Sequence, residues 1–220
     1  MAAEILGISG SPIENSNTDR AVKRVLDATG MESEFIKLSD HSVQPCRACL
    51  KCVQTNRCVV PDDGPMLADK FQAAKAFVLG SYPPFSSIDA WSKSFMERMY
   101  ALRHLKLLTA GKVGASVITS ACPPDVEGMP PSAEMAQKAI GFWMGAFGME
   151  NLGGMVILGN VPCIACGVGD ECPVSGIKMM DPEGTVESVG VNSIDDDAGV
   201  LARTEELGQQ IRAAVDAAEE

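Results

Sequence analysis

Apolar and polar positions fall in blocks that predict strands and helices in strict alternation. Glu4–Ser9 is a short apolar run of the kind that forms a buried strand, and it ends in Gly10-Ser11-Pro12-Ile13-Glu14-Asn15-Ser16-Asn17-Thr18. Ala21, Val22, Val25, Leu26 and Ala28 then recur at helical spacing, so a helix is expected from about Thr18. A second strand fits Glu32–Lys37. After a cysteine-bearing stretch, Asp62-Asp63-Gly64-Pro65 opens a helix with Met66, Leu67, Phe71 and Ala74 on one face. Ala76–Gly80 is apolar on both faces, as a central parallel strand is. A helix from Ile88 to about Leu107 is expected to turn Trp91, Phe95, Met99 and Leu102 inward. The strand Val113–Thr119, the proline-rich loop Ser120–Pro131, a helix to about Phe147 and the strand Leu152–Leu158 complete the alternation. Asp181–Gly190 reads as a turn or short hairpin. Ala198–Ala218 is a final amphipathic helix with Val200, Leu201, Leu207, Ile211 and Val215 inward.

Five strands alternating with helices imply an α/β fold with a doubly wound, mostly parallel sheet. The expected division is one domain over residues 1–158 and a cysteine-containing extension over 159–220 packed on it. In such a sheet the loops at the carboxyl ends of the strands converge on one ligand site at the switch point. Three loops here qualify: Ser9–Thr18, Ser81–Ser87 and Ser120–Gly128. The first carries Ser9, Ser11, Ser16, Asn17 and Thr18 into a helix N-terminus, where unpaired N–H groups and the helix dipole favour an anion by up to about 2 kcal/mol. Without a G-K-[ST] ending or a G-x-G-x-x-G run, it is neither a P-loop nor a dinucleotide fingerprint. Hydroxyls without lysine suit a terminal phosphate monoester, as on FMN; an ordinary capped helix is the plainer alternative. Tyr82 and Phe85 in the second loop are read either as stacking groups for a ring or as core aromatics.

Cysteine changes the picture most. Cys46, Cys49, Cys52 and Cys58 place four thiols in thirteen residues, the ligand demand of an iron–sulfur cluster or a structural zinc. Three closely spaced thiols with a fourth nearby favour a cubane cluster. A disulfide knot suits an oxidising compartment, and the first residues show no export signal. The expected setting is therefore the reducing cytoplasm. Cys122, Cys163, Cys166 and Cys172 form a second set, in which the last three repeat the spacing of Cys49, Cys52 and Cys58. A second metal site is expected there, against a buried Cys122 and a local turn. A net charge of −11 argues against a nucleic-acid partner, and no apolar run is long enough for a membrane span. The incomplete Gly7-Ile8-Ser9-Gly10-Ser11 elbow, with only His41 and His104 to serve as base, argues against a serine hydrolase.

The Gly10-Ser11-Pro12…Ser16-Asn17-Thr18 loop and the Gly80-Ser81-Tyr82-Pro83 turn resemble the NADPH-dependent FMN reductase family. The compact cysteine loop after the second strand resembles its iron–sulfur flavoprotein branch. The resemblance implies a flavodoxin-like, five-stranded parallel sheet of order 2-1-3-4-5. It also implies an FMN phosphate on Ser9, Ser11, Ser16, Asn17 and Thr18, and ring contacts from Ser81, Tyr82, Pro83, Phe85 and Ser86, with Ser120 in the third loop. A 4Fe–4S cluster would sit on Cys46, Cys49, Cys52 and Cys58. Two departures stand out: Ile13 where the family's loop often has arginine, and a third loop that is not glycine-rich. The expected function is electron transfer between FMN and the cluster in a homodimer or homotetramer, with a ferredoxin-like carrier or NAD(P)H as partner. The competing expectations are an NAD(P)H-dependent flavin or quinone reductase with structural zinc, and a thiol-based redox sensor.

Overall fold

The computed structural model describes residues 3–123, 126 and 128–219. Pro124, Asp125 and Glu127 of the expected third loop lie outside the described residues.

Five strands, β1 (Ile5–Ser9), β2 (Ser33–Lys37), β3 (Ala76–Ser81), β4 (Val113–Ser120) and β5 (Glu150–Leu158), form one sheet of order β2-β1-β3-β4-β5. Every pairing is parallel. The order reverses between β1 and β3, which opens a crevice at their carboxyl ends.

Side chains along β3 alternate across the sheet. Phe77 and Leu79 face one core with α2 (Gly64–Ala73), α3 (Ala90–Arg98) and α5 (Ser132–Ala146), where Phe71, Phe95 and Trp143 pack. Ala76 and Val78 face the other, with α1 (Asn17–Thr29) and α8 (Ala198–Glu219). Gly7 and Gly80 sit under α1, where a Cβ would meet Val22 at 2.8 Å and 2.6 Å. Their missing side chains let α1 lie close to the sheet, which brings its N-terminus to the crevice. Burying apolar surface on both faces stabilises the sheet by about 25 cal/mol per Å2.

The expected helix from Ile88 to Leu107 is shorter and broken. Fully buried Asp89 caps α3 by accepting the Ser92 N–H at 2.8 Å. A separate turn, α4 (Tyr100–Arg103), follows. Asn56 takes the next carbonyls, donating to Ala101 O at 3.0 Å and His104 O at 2.5 Å. Those acceptors are then supplied from outside the helix, and Leu105 and Leu107 turn left-handed. Trp91 lies one position off the inner stripe of Ser92, Phe95, Met96 and Met99 and is 37% exposed. Asp181–Gly190 is not a hairpin. A turn closes from Gly184 N to Asp181 O, and Thr185 with Ser188 makes a capping box for the short helix α7 (Val186–Val189). Another short helix, α6 (Gly176–Met180), precedes it.

The helix α8 packs on α1 and on β4 and β5. It therefore occupies the place of the helix that follows the last strand of a doubly wound sheet, and the segment carrying Cys163, Cys166 and Cys172 is inserted before it.

Candidate functional site

The residues of the Ser9–Thr18 loop gather at the N-terminus of α1, and several are already engaged. Ser9, Ser11, Asn17 and Thr18 are all buried. Ser9 Oγ donates to Asp19 Oδ1 at 2.5 Å, and Ser11 N donates to Ser9 Oγ at 3.2 Å. Ser16 caps α1: its Oγ accepts the Asp19 N–H at 3.1 Å while Asp19 Oδ2 accepts the Ser16 N–H at 3.2 Å. Thr18 Oγ1 donates to Thr119 Oγ1 at 2.9 Å. Asn17 Nδ2 donates to Asn192 O at 2.8 Å, and Asn17 Oδ1 accepts from Arg20 and from Ile194 N. Asn17 and Thr18 thus brace the loop from behind, against the 192–194 segment and β4. An anion here would meet the first-turn N–H groups of α1, which no helical carbonyl can reach, and the hydroxyl edge of Ser11 and Ser16.

One residue escaped sequence reasoning. Lys37, the last residue of β2, reaches the loop and donates to Asp19 Oδ2 at 2.6 Å and Ile13 O at 2.8 Å. Asp19 is almost fully buried in the first turn of α1, so Lys37 cancels a carboxylate that would otherwise repel a phosphate. Ile13 itself is 68% exposed. The loop has a cation after all, supplied through the β1–β2 pairing rather than by the loop sequence. A cleft of about 360 Å3 beside it is lined by Asn15, Asp19, Lys23, Lys37, His41 and Lys70.

The second loop is tied to the first. Gly10 N donates to Gly80 O at 2.9 Å. Asp89 accepts the Ser81 hydroxyl at 2.6 Å, and its carboxyl lies against the Cα of Gly10, where no side chain fits. Burial pushes the Asp89 carboxyl above its ordinary value, against hydrogen bonds from Ser81 and Ser92 that lower it. Burial, followed by the Asp89 charge, likewise pushes the Tyr82 phenol up. Tyr82 and Pro83 are half-buried. Phe85 is fully exposed at φ 51°, and Ser86 beside it has φ 61° and shares a 2.8 Å hydrogen bond with Ser132 Oγ. Two adjacent left-handed residues without glycine cost about 1–2 kcal/mol each. Phe85 is therefore not a core aromatic; it is held outward at the mouth of the crevice. Ser120, buried at the end of β4, closes the third loop by donating to Cys122 O at 2.9 Å.

The first cysteine loop is pinned at both ends. Asp63 Oδ2 accepts the Ser42 N–H at 2.7 Å, and Asp62 Oδ2 accepts the Gln44 N–H at 2.9 Å. Ala48, Leu50 and Asn56 adopt left-handed φ values of 49°, 58° and 52°, which fold the chain back on itself. Cys46, Cys49, Cys52 and Cys58 are unpaired thiols, the first two exposed and the others half-buried. Burial raises Cys52 most, and charge on Cys58, Cys46 and Cys49 raises it further, as expected of four thiols in one neighbourhood. Cys163 differs: the Gly176 N–H, 3.2 Å from its sulfur, holds it below the ordinary thiol range. Cys122 and Cys166 bond to local carbonyls, Pro123 O and Cys163 O, each at 3.3 Å. Cys172 is half-buried. Among the described residues, no three His, Cys, Asp or Glu side chains are drawn in tightly enough to hold a metal ion, in either cysteine set.

Residues 3–152 match the NADPH-dependent FMN reductase family. The chain belongs to this family. It is an FMN-dependent oxidoreductase of flavodoxin-like fold. An iron–sulfur flavoprotein of Methanosarcina thermophila is 26% identical over 212 residues, 95% of this chain and 98% of that one. An iron–sulfur flavoprotein of Methanocaldococcus jannaschii is 35% identical over 121 residues, 54% of this chain and 62% of that relative's length. RosB with a bound 8-demethyl-8-formylriboflavin-5′-phosphate intermediate superposes with a TM-score of 0.64 at 14% identity, covering 98% of this chain and 78% of that one. An archaeal flavodoxin gives 0.53 at 13%, covering 96% and 98%. These structural likenesses show the fold.

The crevice fits FMN on its own terms. It has a capped helix N-terminus for a phosphate, a neutralised first turn, and an outward aromatic at the mouth. Among the described residues no helix is long and apolar enough to cross a membrane.

Proposed function

We propose that this reductase couples two-electron to one-electron chemistry, with FMN in the crevice and a 4Fe–4S cluster on Cys46, Cys49, Cys52 and Cys58. The observation that carries the reading is the cysteine loop: four unpaired thiols on one strained, doubly pinned turn. The names of its relatives support the same assignment. Three closely spaced thiols with a fourth nearby suit a cubane cluster better than a structural zinc, whose sites more often present two separated pairs. FMN supplies two electrons that leave singly, and the cluster carries one at a time.

The chain's own part is to hold and orient. Ser11, Ser16 and the first-turn N–H groups of α1 bind the phosphate, with Lys37 neutralising Asp19 behind them. Asp89 locks the Ser81–Ser87 loop against Gly10, so Tyr82, Pro83 and Phe85 meet the ring at a fixed height. Leu50 and the loop backbone leave the thiols near the surface, within reach of a carrier. A ferredoxin-like protein or NAD(P)H is the proposed partner, in a homodimer or homotetramer where one protomer's loop faces its partner's flavin.

The deciding experiment is a visible spectrum of anaerobically purified protein with flavin, iron and zinc analysis. Brown absorbance with iron, lost in Cys49→Ala while FMN is kept, is the expected result. A yellow protein containing zinc and no iron would establish the plain FMN or quinone reductase instead.

A further inference from the structure

Beneath the cysteine loop lies a buried cation that the reaction as described does not use. Arg98, near the end of α3, is only 2% exposed. Its guanidinium forks onto Asp62, Nη1 to Oδ2 at 2.6 Å and Nη2 to Oδ1 at 2.8 Å, and Nη1 also donates to Gln44 O at 2.9 Å. One side chain thus grips Gln44, two residues before the first cysteine, and Asp62, four residues after the last. Burial works against the guanidinium's charge while Asp62 and then Cys58 favour it, and its Nε is buried with no hydrogen-bond partner. Gly64 completes the arrangement: a Cβ there would stand 2.5 Å from Arg98 Nη2, so the α2 start is bare to admit the fork.

A planar guanidinium is built for this task, since it can satisfy a carboxylate bidentately and still present a donor elsewhere. We propose that Arg98 is a positioning residue for the group held by the cysteine loop: it fixes both ends of the loop and directs positive charge at Cys58. This inference rests on the cluster reading above. Positive charge near a ligand sulfur stabilises the more negative, reduced form of such a group and raises its potential.

Arg98→Met alone would strand a buried carboxylate, so the test pairs it with Asp62→Asn, which removes that charge and keeps an acceptor for one of the Gln44 and Gly64 N–H groups. In an anaerobic redox titration followed by absorbance, the double variant should bind iron and show a lower midpoint. The expected change in the one-electron equilibrium is about tenfold, about 59 mV. Arg98→Lys, which keeps the charge and loses the fork, should restore most of it. An unchanged midpoint in an iron-loaded double variant overturns the electrostatic half. The anchoring half is read in iron-free protein by trypsin cleavage after Arg47, Lys51 and Arg57. The double variant should be cut several times faster than the parent, whereas equal rates overturn the anchor. A parent protein that binds no iron overturns the cluster reading and the electrostatic half together, while the trypsin comparison still decides the anchor.

Discussion

Ser16 performs two tasks with one hydroxyl, and the two can be separated. Its Oγ caps α1, a contribution of about 1 kcal/mol, and its edge faces the phosphate position. Aspartate caps as well as serine does, so Ser16→Asp should leave the melting temperature almost unchanged. The added negative charge should nevertheless weaken FMN binding by at least tenfold, measured by quenching of flavin fluorescence on titration. Full flavin retention would remove the phosphate from this loop. Asp89 makes a different residue-scale statement. Its carboxyl titrates higher in the folded protein than in the unfolded chain, chiefly because it is buried. Its contribution to stability is therefore present at acid pH, below the unfolded value near 3.9, and is lost as the pH rises through the raised folded value. Asp89→Asn keeps the N-cap acceptor without the charge. The variant should be more stable than the parent at neutral pH, with the gap narrowing toward pH 4 in melting curves. A gap independent of pH would show that burial of this charge does not matter.

At the scale of elements, the site depends on α1 being held from two sides. The sheet side is opened by Gly7 and Gly80; the outer side is α8, which crosses α1 at Gly208. A Cβ on Gly208 would stand 2.5 Å from Ala28 Cβ and 2.7 Å from Val25 O, and a backbone carbonyl cannot move aside. Gly208→Ala should cost about 1–3 kcal/mol, visible as a lower urea midpoint at unchanged slope. FMN should also bind more weakly, because the N-terminus of α1 shifts with the helix. If both measurements match the parent, the two helices are not as closely apposed as described. The periodicity of α1 and α8 was readable because each buries one continuous stripe, and β3 was readable because it is apolar on both faces. The end of α4 was not readable, because it is decided by Asn56, which is far away in sequence and takes the carbonyls of Ala101 and His104.

For the molecule as a whole, the two cysteine sets make separate predictions about iron. The two cysteine sets are built differently: the first shares a strained surface loop, while Cys163 is engaged by the Gly176 N–H and Cys166 by a local carbonyl. The Cys122, Cys163, Cys166 and Cys172 site proposed from spacing requires Cys122, at the end of β4, to join the inserted segment before α8. Iron per FMN in anaerobic protein decides it. About eight irons, falling to about four in Cys166→Ala, would establish a second cubane on the four-cysteine rule. A value of about four in both proteins would leave the second set as thiols.

The chain by itself determined the alternation of strands and helices, the parallel sheet with its crevice, the capped loop before α1 and the grouping of Cys46, Cys49, Cys52 and Cys58 in one short segment. All of these are local patterns, written in neighbouring residues through periodicity, capping and spacing. Only the tertiary structure decided which side chains are free to act. It turned Asn17 and Thr18 toward Asn192 and Thr119, brought Lys37 to a loop that lacks a lysine, pushed Phe85 into solvent, and set Arg98 between Gln44 and Asp62. Each of those outcomes depends on a partner from another element. Hydrogen bonds and buried charges are satisfied by whatever the fold brings within about 3 Å, and sequence distance has no bearing on that.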